Sequence, residues 1–228
     1  MSLTVPKELL EHAQNGGEVN DRDMLFVMQQ SLPGGWSHIQ KALGAYAVQR
    51  QPIACSVPEQ DPELLRIMAS TAMCGAIERL YQVEIDLVRG CKLVAGADVY
   101  PRRVSVRAEL RALTGSPVSG LDEPWEVLQQ RLPNTAKWLQ QAVETQSEAV
   151  DYLDVTVTNE AERLQLLQIL AASTLREWLE SEFGGVQIGF LNCHRLVVAD
   201  ETVSSSVWGE ATSNRRQIAL QSPAMRDC

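Results

Sequence analysis

Residues 27–43 read VMQQSLPGGWSHIQKAL and residues 127–143 read VLQQRLPNTAKWLQQAV, so the chain nearly repeats itself about one hundred residues on. Identical pairs are Val27/Val127, Gln29/Gln129, Gln30/Gln130, Leu32/Leu132, Pro33/Pro133, Gln40/Gln140 and Ala42/Ala142. Three further pairs exchange one aliphatic residue for another. A chance match fades outside its window, whereas this one continues. IACSV (53–57) meets LDVTV (153–157), and LLRIMAST (64–71) meets LLQILAAS (166–173). VEIDLVRGCKLVA (83–95) then meets VQIGFLNCHRLVV (186–198). A weaker match joins SVRAELRALTGSP, ending at Pro117, to TSNRRQIALQSP, ending at Pro223.

Ordered matches with a small, growing offset are the mark of duplication followed by loop insertion. The period is too long for a solenoid unit and suits a compact domain. The expected fold class is therefore α+β: two tandem copies of a module, packed as an intrachain pseudo-dimer. Each module is expected to run helix-helix-strand-helix-strand-strand-short helix. The first domain is placed at 1–117, with an N-terminal extension helix in PKELLEHAQNGG; the second is 118–228, with a longer loop at about 199–213 and a C-terminal tail. TGSPVSG (114–120) has the composition of a short linker, which leaves the modules little reach apart.

Local chemistry supports the element order. Asn20 or Asp21 can cap a helix through MLFVMQQSL, because their side-chain oxygens can accept first-turn amides. Pro33 suits the first turn of the next helix, which carries Trp36, Ile39, Leu43 and Tyr46 on one stripe. Asp61-Pro62-Glu63 begins a helix expected to run unbroken to about Leu80. Val83, Ile85 and Leu87 share one face of a strand, as do Val186, Ile188 and Phe190, and Gly90 marks a hairpin turn. The opposite face, with Glu84, Asp86, Asp154 and Thr156, is expected to be polar and wet. If the first two strands are parallel, their crossover is right-handed.

Composition limits the function classes. Hydrophobic residues are 45% of the 228, enough for a sizeable core. A net charge of −9 disfavours binding of the whole molecule to nucleic acid or an anionic membrane. No run of apolar residues is long enough to span a bilayer, and the N-terminus lacks signal-peptide order, so a cytoplasmic location is expected. Five scattered cysteines form no disulfide framework.

Motifs for chemistry are scarce. The three histidines have no metal-ligand spacing, and neither phosphate-binding glycine motif occurs, so no catalytic residue, cofactor or metal is assigned. The paired glycines of LPGGW (32–36) could in principle present amides to an anion, but Asn134 and Thr135 replace them in the second copy and no Lys follows, so a helix-to-helix turn is the expected reading. Cys193, in NCHR, is the first candidate for a reactive thiol and Cys228 the second, with a plain hairpin the alternative for the former. Trp208 and Val207, in a Ser- and Gly-rich loop, are the first candidates for an interface. The pairs Arg102-Arg103 and Arg215-Arg216 join them.

Three functions fit this reading. The first is a non-enzymatic binding, adaptor or regulatory protein whose partner is another protein, with a homodimer also possible. The second is an enzyme with its site between the modules, whose signature would be perturbed carboxylates in the intermodule cleft. The third is a winged-helix-like nucleic-acid binder, disfavoured because its groove helix would be poor in basic residues.

Overall fold

A computed structural model describes residues 20–97, 104–115, 117–118, 123–149, 152–191 and 195–199. The expected N-terminal extension helix lies outside them. The first module contains α1 (Asp21–Ser31), α2 (Pro33–Gln49), β1 (Ile53–Ser56), α3 (Pro62–Ala69), α4 (Thr71–Tyr81), β2 (Glu84–Val88), β3 (Lys92–Gly96) and α5 (Val106–Thr114). The second contains α6 (Pro124–Arg131), α7 (Pro133–Ala149), β4 (Tyr152–Thr156), α8 (Glu160–Ala171), α9 (Ser173–Glu182), β5 (Gln187–Leu191) and β6 (Arg195–Ala199).

The two sheets are copies down to their register. Each has three antiparallel-paired strands, in the orders β1-β3-β2 and β4-β6-β5. Adding 100 to the first strand and 103 to the other two converts every pairing of one sheet into a pairing of the other. Ile53↔Ala95 becomes Leu153↔Val198, and Ile85↔Ala95 becomes Ile188↔Val198. A one-residue slip would turn each strand's apolar set outward, so the drifting sequence offsets have kept the buried faces aligned. β1 and β2 point the same way, as a parallel crossover requires, but β3 lies between them.

The long helix expected from Asp61 to about Leu80 is broken. Ser70 takes extended backbone angles (φ −92°, ψ 110°), ends α3, and its hydroxyl accepts from the Met73 amide to begin α4. Ala172 makes the same break between α8 and α9 with similar angles (φ −84°, ψ 98°). An uninterrupted apolar pattern hid the corner, since both helices bury residues on either side of it. The remaining starts follow local rules. Asn20 caps α1, Asp61 caps α3 ahead of Pro62, Ser105 caps α5 and Asn159 caps α8, each side chain accepting first-turn amides.

The modules pack on each other through one continuous core that includes Leu64, Ile67, Leu166 and Ile169. α3 lies along α8, α9 reaches β2, and α4 reaches β5. The last two contacts are reciprocal, as a pseudo-two-fold axis requires. The chain is thus a tandem α+β pair packed as a pseudo-dimer. The strand face expected to be wet is covered at Asp86, whereas Glu84 and Thr156 on it keep partial exposure. Asp86 is only 2% exposed, and Val88 and Val94 on the same face are buried with Val104 packed against them. Alternation told the two faces apart but could not show that the other module covers the polar one.

Candidate functional site between the modules

None of the interface or thiol candidates from sequence falls within the described residues. Val207, Trp208, Arg102, Arg103, Arg215, Arg216, Cys193 and Cys228 all lie outside them. Described residues do include the LPGGW corner, and there the anion is supplied from within. Glu63, in the first turn of α3, accepts from the Gly34 amide at 2.6 Å and the Gly35 amide at 3.1 Å. These are orphan donors of the α2 start, so the carboxylate satisfies both hydrogen bonding and the helix dipole. The corner is tight: a Cβ on Gly35 would stand 2.6 Å from the carbonyl carbon of Glu63 and from the Leu64 nitrogen. The glycines therefore serve helix packing, and their amides are already engaged.

In the second module the same corner is rebuilt. Asn134 and Thr135 replace the glycines, and the Thr135 hydroxyl donates to Gln165 Oε1 at 2.7 Å. The buried tryptophan moves two places, from Trp36 to Trp138, whose indole donates to Glu162 Oε2 at 2.6 Å. The position matching Trp138 is His38, which lies 3.4 Å from Asp61. One device is retained unchanged. Glu78 Oε1 on α4 accepts from the Ile85 amide at 3.2 Å, and Glu180 Oε1 on α9 accepts from the Ile188 amide at 2.9 Å. Each glutamate latches its helix to the strand that follows. Burial raises the Glu180 pKa above the usual carboxylate range, against the lowering effects of the Ile188 amide and Arg176.

Polar chemistry concentrates where the first module's hairpin meets the second module. Arg89 and Gly90 both have positive φ (54° and 64°), a two-residue turn closed by the Cys91 amide donating to Val88. Glycine adopts that region freely, whereas Arg89 needs support. Glu109 of α5 gives it: both carboxylate oxygens accept from the Arg89 amide, at 3.0 and 2.9 Å. Glu109 is 3% exposed, and its pKa is pushed up to about 7 by burial, opposed by the Arg89 amide and assisted by the charge of Asp86. Asp86 in turn accepts from the Ser173 hydroxyl at the start of α9, a buried hydrogen bond of 2.5 Å between the modules.

Beside this group lies a cavity of about 250 Å³. The first module contributes Leu65, Arg89, Cys91, Glu109 and Leu113 to its wall, and the second contributes Gln168, Ala172 and Leu175. A perturbed carboxylate therefore does stand in an intermodule cleft. Sequence reading missed Glu109, although Val106, Glu109, Leu110 and Leu113 share a helical stripe, and an acid on an otherwise apolar stripe was the available signal. Cys91 in this wall is a free thiol, as are Cys55 and Cys74. The Cys74 thiol is pushed up to about 12 by burial, which makes it inert. Among the described residues no group of three or more His, Cys, Asp or Glu could hold a metal ion, and no helix is long and apolar enough to cross a membrane.

These observations define a class: a duplicated α+β protein whose copies share strand register, helix corner and glutamate latch, with a small cleft between them. Comparison with known families places it further. Residues 1–115 and again 122–228 match the family described as NucS shadow ORF, whose name carries the label KH. The two matches cover nearly the whole chain, so the protein belongs to that family. No curated protein and no solved structure matches it.

Proposed function

We propose that this is a non-enzymatic adaptor or regulatory protein that acts through contacts with another protein. The observation that carries the reading is what the duplication kept. Sheet register and the Glu78 and Glu180 latches are the same in both copies. Other side chains at matching positions differ: Gly34-Gly35 against Asn134-Thr135, Glu63 against Gln165, Cys91 against His194. Selection for a duplicated scaffold preserves architecture in this way, whereas a reaction run in both copies would need the same reacting side chains in both.

The KH label favours a second reading, a nucleic-acid binder. KH modules clamp four backbone nucleotides with a Gly-X-X-Gly loop. No Gly-X-X-Gly occurs anywhere in the sequence, and the net charge of −9 opposes phosphate binding. The helix corners themselves, Ser70 and Ala172, are buried.

Two experiments separate the readings. Tagged full-length protein recovered from native cells is expected to retain a protein partner after nuclease treatment, with crosslinks falling within 200–216. Crosslinks confined elsewhere would remove Val207, Trp208, Arg215 and Arg216 from the interface. Filter binding with single-stranded RNA and DNA at low salt is expected to show no tight complex. Salt-sensitive binding in that assay would replace the adaptor reading with the nucleic-acid one.

A further inference from the structure

Glu109 presents an unfinished piece of chemistry. A carboxylate withdrawn from water needs compensation, ordinarily an opposite charge with several hydrogen bonds. Among the described residues Glu109 has one donor, the Arg89 backbone amide, shared between its two oxygens. Each oxygen keeps further acceptor capacity. The charge of Asp86 also bears on it and is of the wrong sign, against the opposite charge of the exposed Arg89, and Glu59 adds a second carboxylate to the same cavity. Arg89 is exposed, at the rim of the cavity.

The rest of the wall is apolar where it is deep. Leu65 and Leu175 are buried, and Leu113 completes a greasy surface next to the carboxylate. A volume of about 250 Å³ falls just under the range of drug-sized pockets and admits a ligand of modest size. Among the described residues no group of three or more acids, histidines or cysteines could hold a metal ion, and an organic cation is a complement that two carboxylates beside an apolar wall would fit.

From this juxtaposition we infer that the intermodule cleft binds a small primary amine: its ammonium sits on Glu109 with Glu59 nearby, and its short apolar tail lies on Leu65, Leu113 and Leu175. Because Ala172 and Leu175 come from the second module, an occupied cleft ties the two halves together. The site would then act as an effector site in a regulatory protein. The inference stands apart from the protein-partner reading, since a cleft ligand can be present whatever surface the partner uses.

The test is calorimetric titration of the full chain with n-pentylamine, 1-pentanol and pentanoate at pH 8, where Glu109 is ionised. Saturable one-to-one binding of the amine is expected, at least about tenfold tighter than either neutral or anionic analogue. Glu109→Gln keeps an acceptor for the Arg89 amide and is expected to weaken amine binding about tenfold or more. Ala112→Trp, at an exposed position on the cavity wall, is expected to block it while leaving the circular dichroism spectrum unchanged. Glu182→Gln, exposed on α9, is expected to have no effect. Equal binding of amine and alcohol, preference for pentanoate, or amine binding that survives Ala112→Trp would overturn the inference. So would failure of the amine to saturate by about 10 mM.

Discussion

The two helix corners, α2 on α3 and α7 on α8, occupy matching places and are held by different chemistry. In the first module backbone approaches backbone through Gly35, and the ion Glu63 closes the gap to two bare amides. In the second, α8 starts a turn earlier, a threonine fits at 0% exposure, and its hydroxyl meets the neutral Gln165. Glycine and acid changed together into hydroxyl and amide. What the two corners share is a hydrogen bond between the start of one helix and the helix that follows, not particular residues. The buried indole differs between the copies as well: Trp138 has Glu162 as its acceptor, while Trp36 is equally buried without a hydrogen-bond partner for its indole.

The largest test of this asymmetry is in pH. In the first module's hairpin a glutamate accepts from the turn amide, and the end-aligned sequence match sets Arg215 against Glu109. Glu109's folded pKa, about 7, lies above its ordinary value of 4.5, so the folded state binds the proton more tightly. Its contribution is fully present below about pH 4.5 and is lost as pH rises through 7. Stability between pH 4.5 and 8 is expected to fall by about 3 kcal/mol more in the parent than in Glu109→Gln. Denaturant melts at the two pH values measure this, and parallel pH profiles would place Glu109 in a solvated setting.

Next in size is Gly35→Ala, whose methyl would collide with the backbone of Glu63 and Leu64. Overpacking of this kind costs about 2–3 kcal/mol. If Gly35→Ala unfolds at the parent's denaturant concentration, the first corner is no tighter than the second. Trp138→Phe leaves the buried Glu162 without its indole donor and is expected to cost about 2 kcal/mol, by the same measurement. Thr135→Ala is the mildest, about 1 kcal/mol, because it removes one neutral hydrogen bond. A Thr135→Ala loss exceeding that of Gly35→Ala would reverse the comparison.

How much of this was legible depended on range. Caps and proline starts were readable because their partners lie within three residues: Asn20, Asp61-Pro62 and the positive-φ Gly90 all stand where local chemistry places them. Module identity was readable because β-register ties burial to alternation, as Ile85, Leu87, Ile188 and Phe190 show. The corner at Ser70 was not, since its apolar neighbours continue across it on both sides. Asp86 was misassigned to a wet face because its covering residue, Ser173, lies in the other module. Glu109 escaped notice for a related reason, its partner being a turn amide twenty residues away that only the tertiary fold brings near.

The reciprocal packing of the modules underlies both the buried Asp86 and the cleft beside Glu109. A protease site inserted between Ser119 and Gly120, then cut under native conditions, measures it by gel filtration. The halves are expected to elute together, at the volume of the uncut chain, held by α3 against α8 and by the Asp86–Ser173 hydrogen bond. Two folded fragments eluting separately would show that the copies are independent beads and that the cleft between them does not exist in solution.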